Sequence, residues 1–169
     1  AGYEVLYLTV DEDEIVLQML ENAGGKPFVS VADENALPLT EEEKANVEQA
    51  EKDHKDVLDF AQETLKDQVA KVRLSKILQS GSVCLTAEGP VSLEMEKYMN
   101  KVEGGQHMRA DRVLELNPDS APYAALKKAV DAGDKDTVEK YAKLLYGQAE
   151  LLAGLPLEDP AGYAQLVCS

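Results

Sequence analysis

The chain has 169 residues, 44% of them apolar, a net charge of −15 and a sequence pI near 4.5. That size makes one ordinary domain, or a small domain with a piece of another, and the apolar content excludes a chain disordered by composition. So acidic a surface repels phosphate backbones and anionic headgroups, and no apolar run approaches the ~20 residues that span a bilayer, so neither nucleic acid nor a membrane is an expected partner.

With no Trp and two Phe, the core must rest on Leu, Val and Ala, which predicts a helix-rich α+β chain. Tyr3 to Leu8 is a mostly apolar strand pattern. Asp11 and Glu14 then have capping-box spacing, and Ile15, Val16, Met19 and Leu20 recur at helical intervals before Gly24-Gly25, expected to end that helix. Pro27 to Val31 is a second strand candidate. The resulting β-α-β piece is too small to stand alone and looks like the tail of a larger α/β domain, and because the chain opens without Met it is expected to be a fragment.

After a polar stretch at 33–39, Thr40-Glu41-Glu42-Glu43 is a capping box with carboxylates where the helix dipole favours them. One long helix is predicted from there, since Val47, Ala50, His54, Val57, Ala61 and Leu65 step by three or four residues. Val69 to Leu74, Val83 to Thr86 and Val113 to Leu116 read as three strands, with a helix from Ser92 to Val102 between the second and third. A helix follows from near Ser120 to Ala132, with Gly133 at its end.

On the next helix, about Asp136 to Ala153, stepping ~100° per residue from Val138 puts Tyr141, Ala142, Leu145, Ala149 and Leu152 on one stripe. Leu144 and Leu151 fall roughly 80 to 100° further round, an apolar arc wider than one neighbour would cover. Asp159-Pro160 is a cap and first-position pair, so a last helix follows a short connection and forms an antiparallel hairpin. Its outer face stays apolar through Leu144, Leu151, Tyr163, Leu166 and Val167, and two such hairpins would close a four-helix bundle.

Little in the chain suggests catalysis. Cys84 lies between Val83 and Leu85, which predicts a buried thiol with a raised pKa rather than a nucleophile for His54 or His107. His54 sits on the apolar stripe and is expected to be packed with a satisfied ring; His107 is in a glycine-rich loop. Gly24-Gly25 and Gly104-Gly105 are not placed as phosphate cradles, so no ATP binding by this piece is expected. The acidic cluster from Asp11 to Glu14 reads as a solvated helix start, with a metal-dependent or acid/base enzyme domain as the alternative. Cys84 and Cys168 are too few and too far apart for a disulfide scaffold and no secretory leader pattern opens the chain, so a reducing cytoplasm is expected.

The helix after Gly89-Pro90 carries Val91, Met95, Tyr98, Met99 and Val102 on one face, Glu94, Glu96, Lys97 and Lys101 on the rest, and Leu93 alone on the far side. If Leu93 anchors the core, the Met-bearing face looks outward as a soft surface for varied apolar segments; otherwise the stripe is core.

The ordered set Leu114 to Asp119, Leu144 to Ala149 and Leu157 to Pro160, with Gly2 to Leu8, Asp13-Glu14, Gly25 to Phe28 and Val72 to Ser75, resembles the C-terminal end of the heat-shock protein 90 chaperone family over nearly the whole chain. The resemblance implies that residues 1–38 end a middle domain and 39–169 form a dimerisation domain. It implies client-binding positions at Val91, Met95, Tyr98 and Met99, with a second patch at Ile15 and Gln18, although an aromatic is common where Ile15 stands and a Met where Val91 stands. Leu144, Leu145, Leu151, Leu152, Tyr163 and Leu166 are the expected dimer contacts. The implied partners are a second copy and partly folded proteins. ATP and magnesium are cofactors of the family's full-length proteins, and none is expected in this piece. A purely structural dimeriser is the remaining alternative.

Overall fold

The computed structural model describes residues 4–10, 13–31, 41–76, 78, 80–102 and 108–168, without the side chains of 14, 18 and 41–44. Asp11, the Thr40 capping box, Gly104-Gly105 and His107 therefore lie outside the described residues, as does the side chain of Gln18. Among the described residues the fold is α+β, with seven helices and two small sheets.

The first part differs from the expected β-α-β piece. Helix α1 (Asp13–Leu20) forms, but residues 4–9 join no strand, and Val5, Leu6, Tyr7 and Leu8 are exposed. An apolar run makes a strand only when a neighbour takes its backbone donors and acceptors. Asp13 caps this segment instead, its carboxylate accepting from Thr9 N–H at 2.9 Å and Val10 N–H at 3.2 Å. Gly24 and Gly25 do not end α1. Glu21 does so at φ 58°, and the glycines, at φ 59° and 80°, form the two-residue turn between β1 (Asn22–Ala23) and β2 (Lys26–Pro27). Two consecutive positive φ values define the tight hairpin turn whose twist suits paired strands. Val29 and Val31, expected in a strand, are exposed.

The single long helix is two, α2 (Glu41–Asp53) and α3 (Lys55–Thr64), bent at His54. Hydrogen bonds still cross the bend, from His54 N–H to Ala50 O and from Leu58 N–H to His54 O, so the apolar stripe runs on through Val57, Ala61 and Leu65, all buried. The main sheet has the order β3 (Lys71–Leu74), β5 (Asp111–Leu116), β4 (Val83–Glu88), with β5 parallel to β3 and antiparallel to β4. Alternation puts Val72, Leu74, Val83, Leu85, Leu114 and Leu116 on one face, where they join the core. The other face holds Arg73, Thr86 and Glu115, all buried.

Helices α4 (Leu93–Lys101), α5 (Ala121–Asp131), α6 (Lys135–Leu152) and α7 (Pro160–Cys168) follow the sequence reading within a residue or two. Side-chain caps fix the starts of α4 to α6: Ser92 Oγ accepts from Met95 N–H, Ser120 Oγ from Tyr123 N–H and Asp134 Oδ1 from Thr137 N–H. Asp159 Oδ1 accepts from Gly162 N–H at 2.9 Å and so starts α7 as its place before Pro160 implies. Helix α6 is the hub, touching α3, α5, α7 and β4.

α7 packs on α6 over Gly147, whose missing side chain admits Tyr163. A Cβ there would lie 2.5 Å from Tyr163 Cδ2 and 3.4 Å from Leu157 Cδ2. For Gly147→Ala, an overpacking cost of about 1–3 kcal/mol outweighs a helix-propensity gain of about 1 kcal/mol. The expected result is a lower Tm with faster amide exchange in α7. A higher Tm with unchanged α7 protection would contradict this packing.

Candidate functional site

On the Met-bearing helix Leu93 packs against the core, while Val91, Met95, Tyr98 and Met99 are half-buried and Val102 is exposed, so the stripe is neither wholly outward nor core. α1 lies beside α4, so Ile15, half-buried on α1, falls on a neighbouring element. Glu96, which the sequence places off the Met-bearing face with Glu94, Lys97 and Lys101, is only 3% exposed.

The six expected dimer contacts divide in three ways. Leu145 belongs to the chain's own core at 4% exposure, with Val138, Ala142 and Ala149. Leu144, Tyr163 and Leu166 are half-buried. Leu151 and Leu152 are exposed, at 52% and 66%, and so is Val167 on α7. Leu152 was placed on the inner stripe, but it is the last residue of α6, and Leu155 closes the core beyond it. A groove of about 580 Å³ runs between α6 and α7, lined by Lys143, Tyr146, Gly147, Leu157, Tyr163 and Leu166 among others.

Between these two surfaces lies a cluster that periodicity did not reveal. Alternation puts Arg112 on the Leu114 face of β5, where its guanidinium meets side chains from two helices and the connection between α6 and α7. Nη2 donates to Glu96 Oε1 of α4 at 2.6 Å, and Nη1 to Tyr146 Oη at 2.6 Å and Glu150 Oε1 at 3.0 Å, both on α6. Glu158, on the connection to α7, is 3.4 Å from Nη1. Glu96 Oε2 also accepts from Ala110 N–H at 2.9 Å.

Burial alone would raise the Glu96 carboxyl, but its bonds to Arg112 and Ala110 N–H outweigh that and hold it below the usual value. Burial raises Glu150, with Tyr146 and Arg112 offsetting only part and Glu158 adding to the rise. Burial pushes the Tyr146 phenol up to about 12. Arg112 is raised, because Glu96 and Tyr146 outweigh its own desolvation.

A second buried pair holds the opposite face of the sheet. Arg73 Nη2 donates to Glu115 Oε1 at 2.6 Å, Ser75 Oγ to Glu115 Oε2 at 2.8 Å and Cys84 Sγ to the same oxygen at 3.6 Å. Burial first, then Glu115, pushes the Cys84 thiol up to about 12, the reverse of what a nucleophile needs. The His54 ring meets Tyr123 edge-on at 5.4 Å. It is not satisfied as expected, since His54 Nδ1 and Tyr123 Oη are buried without a hydrogen-bond partner among the described residues. Among the described residues, no group of His, Cys, Asp or Glu is arranged to hold a metal ion, and no helix is long and apolar enough to cross a membrane.

A family model described as Hsp90 protein matches residues 1–169. The chain belongs to the Hsp90 family. The Chaperone protein HtpG of Bacillus subtilis is 39% identical over 167 residues, 99% of this chain and 26% of that protein. Those of Bacillus licheniformis and Clostridium acetobutylicum are 40% and 39% identical, over 167 and 168 residues, with the same coverage. This Hsp90-family chain thus spans about a quarter of the length of these relatives.

The Arg112 cluster sets a pH dependence. Glu96 has a folded pKa below its ordinary 4.5, so its contribution is present above that value and is lost as pH falls through the lower folded one. Removing one partner of a buried ion pair costs about 3–5 kcal/mol. In urea melts Glu96→Gln should therefore be destabilised by about that amount at pH 7, and the gap to wild type should narrow below the ordinary carboxylate range. Glu150 has the opposite sign: its raised folded pKa favours the protonated form, so its contribution is full below the ordinary value and is lost as pH rises through the folded one. Glu150→Gln should remove that slope. A constant Glu96→Gln gap from neutral to acid pH would contradict the assignment.

Proposed function

We propose that this chain is the C-terminal self-association part of an Hsp90-family chaperone, and that it presents an apolar surface to partly folded proteins. The observation that carries the reading is the pair of adjacent leucines, Leu151 and Leu152, left in solvent at the end of α6, on a hairpin whose second helix buries none of its residues within the chain. With Val167 on α7 and the half-buried Leu144, Tyr163 and Leu166, they make an outer face suited to an identical face on a second copy, closing a four-helix bundle about a two-fold axis. Leu145 supports that face from beneath.

On this reading residues 1–38 end a middle domain and 39–169 form the dimerisation domain. The client surface is Val91, Met95, Tyr98 and Met99 on α4, with Ile15 and Gln18 of α1 as the second patch. Thioethers and a half-buried ring adapt to many apolar segments, which suits weak, unselective binding. ATP and magnesium act elsewhere in the whole chaperone, and this part needs no cofactor. Holding two protomers together raises the effective concentration of their remaining domains for each other, so a passive bundle supports an ATP cycle it does not run. The place of action is the cytoplasm. The enzyme alternative at Asp11 to Glu14 gains no support, because the Asp13 carboxylate is engaged by Thr9 and Val10 N–H.

Light scattering should give a mass twice the 18.4 kDa of the chain, persisting at high salt. The paired change Leu151→Asp and Leu152→Asp should yield a folded monomer, whereas a wild-type monomer at all concentrations would overturn the dimer reading. Burying a Met side chain is worth about 1.5–3 kcal/mol, so Met95→Ser with Met99→Ser should weaken binding of an unfolded model protein at least about tenfold. Unchanged binding would leave only a structural dimeriser.

A further inference from the structure

We propose that Arg112 is a positioning residue that couples the Met-bearing face of α4 to the α6–α7 hairpin, so that an apolar segment held on the first alters self-association through the second. The inference rests on the function proposed above and adds a link between its two surfaces. A guanidinium is a rigid plane with five donors, and it cannot turn toward one acceptor without turning from another. Here that plane is divided between elements. Nε and Nη2 face Glu96 of α4, while Nη1 faces Tyr146 and Glu150 of α6 and approaches Glu158 on the connection to α7.

Glu96 follows Met95 directly and lies one turn before Met99 on the same rigid helix, so a shift of α4 that seats a segment against these methionines also moves the carboxylate. The next residue makes an independent link, since Lys97 Nζ donates to Ala153 O at 3.1 Å, and Ala153 is the C-cap of α6. Two consecutive residues of the α4 helix therefore reach α6, Lys97 directly at its C-cap and Glu96 through Arg112.

At the hairpin end, Glu158 is the adjustable member. It is half-exposed, and its Oε1 lies 2.7 Å from Arg109 Nη2 and 3.4 Å from Arg112 Nη1. It immediately precedes Asp159, which starts α7. A change in the seating of α7 moves Glu158 between the two arginines. Glu96 and Glu150 draw on one guanidinium where screening is weak, and Glu158 reaches it from the solvent side, so withdrawing one carboxylate changes how strongly the others are held.

The test measures the dimer dissociation constant of the whole chain by sedimentation, with and without saturating reduced and carboxymethylated lactalbumin, a permanently unfolded protein. Coupling of ordinary strength shifts that constant by about fivefold or more, and linkage requires the same factor between client affinities of monomer and dimer. In Glu158→Gln, a half-exposed and nearly isosteric change, the factor should fall below about twofold, with dimer formation, client binding and Tm each close to wild type. Arg112→Lys keeps the charge but loses the fork, and should lose the coupling too. A structural role alone would lower Tm and leave the factor intact. An unchanged factor in Glu158→Gln overturns the proposal. So does a wild-type factor near one where dimer and client binding both occur, and that result leaves the proposed function standing. Absence of either dimer or client binding overturns the function itself, and the coupling with it.

Discussion

A guanidinium buried between a strand and two helices must be matched in charge and in hydrogen bonds, and meeting that requirement ties together parts of the chain that are far apart in sequence. Arg112 on β5 is matched by Glu96 on α4 and by Tyr146 and Glu150 on α6. An uncompensated charge there would cost several kcal/mol. The apolar core could tolerate α4 at a range of angles, because Leu93 supplies only one anchor. The Glu96 carboxylate, held by both Arg112 and Ala110 N–H, restricts that freedom and leaves Met95, Tyr98 and Met99 half-buried.

The hairpin is built by a different economy of contacts. α6 uses one side of its circumference for α3, α5 and β4 and another for α7. Gly147 lets Tyr163 close on it, drawing α7 near enough for a short connection. Leu151, Leu152 and Val167 remain outside both contacts. Scattered exposed leucines are ordinary on a protein surface; here they accompany a helix, α7, that buries none of its residues within the chain.

Much of the second half was legible because its signals are local. Asp159 is a cap in the sequence and in the structure, the helices read from Ser92 and near Ser120 begin at caps on those residues, and β3, β4 and β5 were found within two residues or so because β-branched and leucine runs mark them. The bend at His54 was not legible, because hydrogen bonds and the apolar stripe both run through it. Gly24-Gly25 was misplaced because a helix end and a hairpin turn make the same demand for positive φ. The strand expected at residues 3–8 failed because a strand depends on its neighbour, and periodicity says nothing of one. Glu96, Arg112 and Glu150 were not singled out, because apolar periodicity says nothing of which charged residues are buried. A signal for one of them was present: Arg112 shares the alternation of Leu114 and Leu116, so a strand begun two residues earlier would have placed it on the core face.

A dimer of this kind requires that the outer face of the α6–α7 hairpin be covered by a second copy of the chain. Amide hydrogen exchange across a dilution series reads that cover. Protection of α7 and the last turn of α6 should fall as the chain is diluted, while that of α5, wholly within one chain, stays constant. Protection of α7 independent of concentration would contradict it.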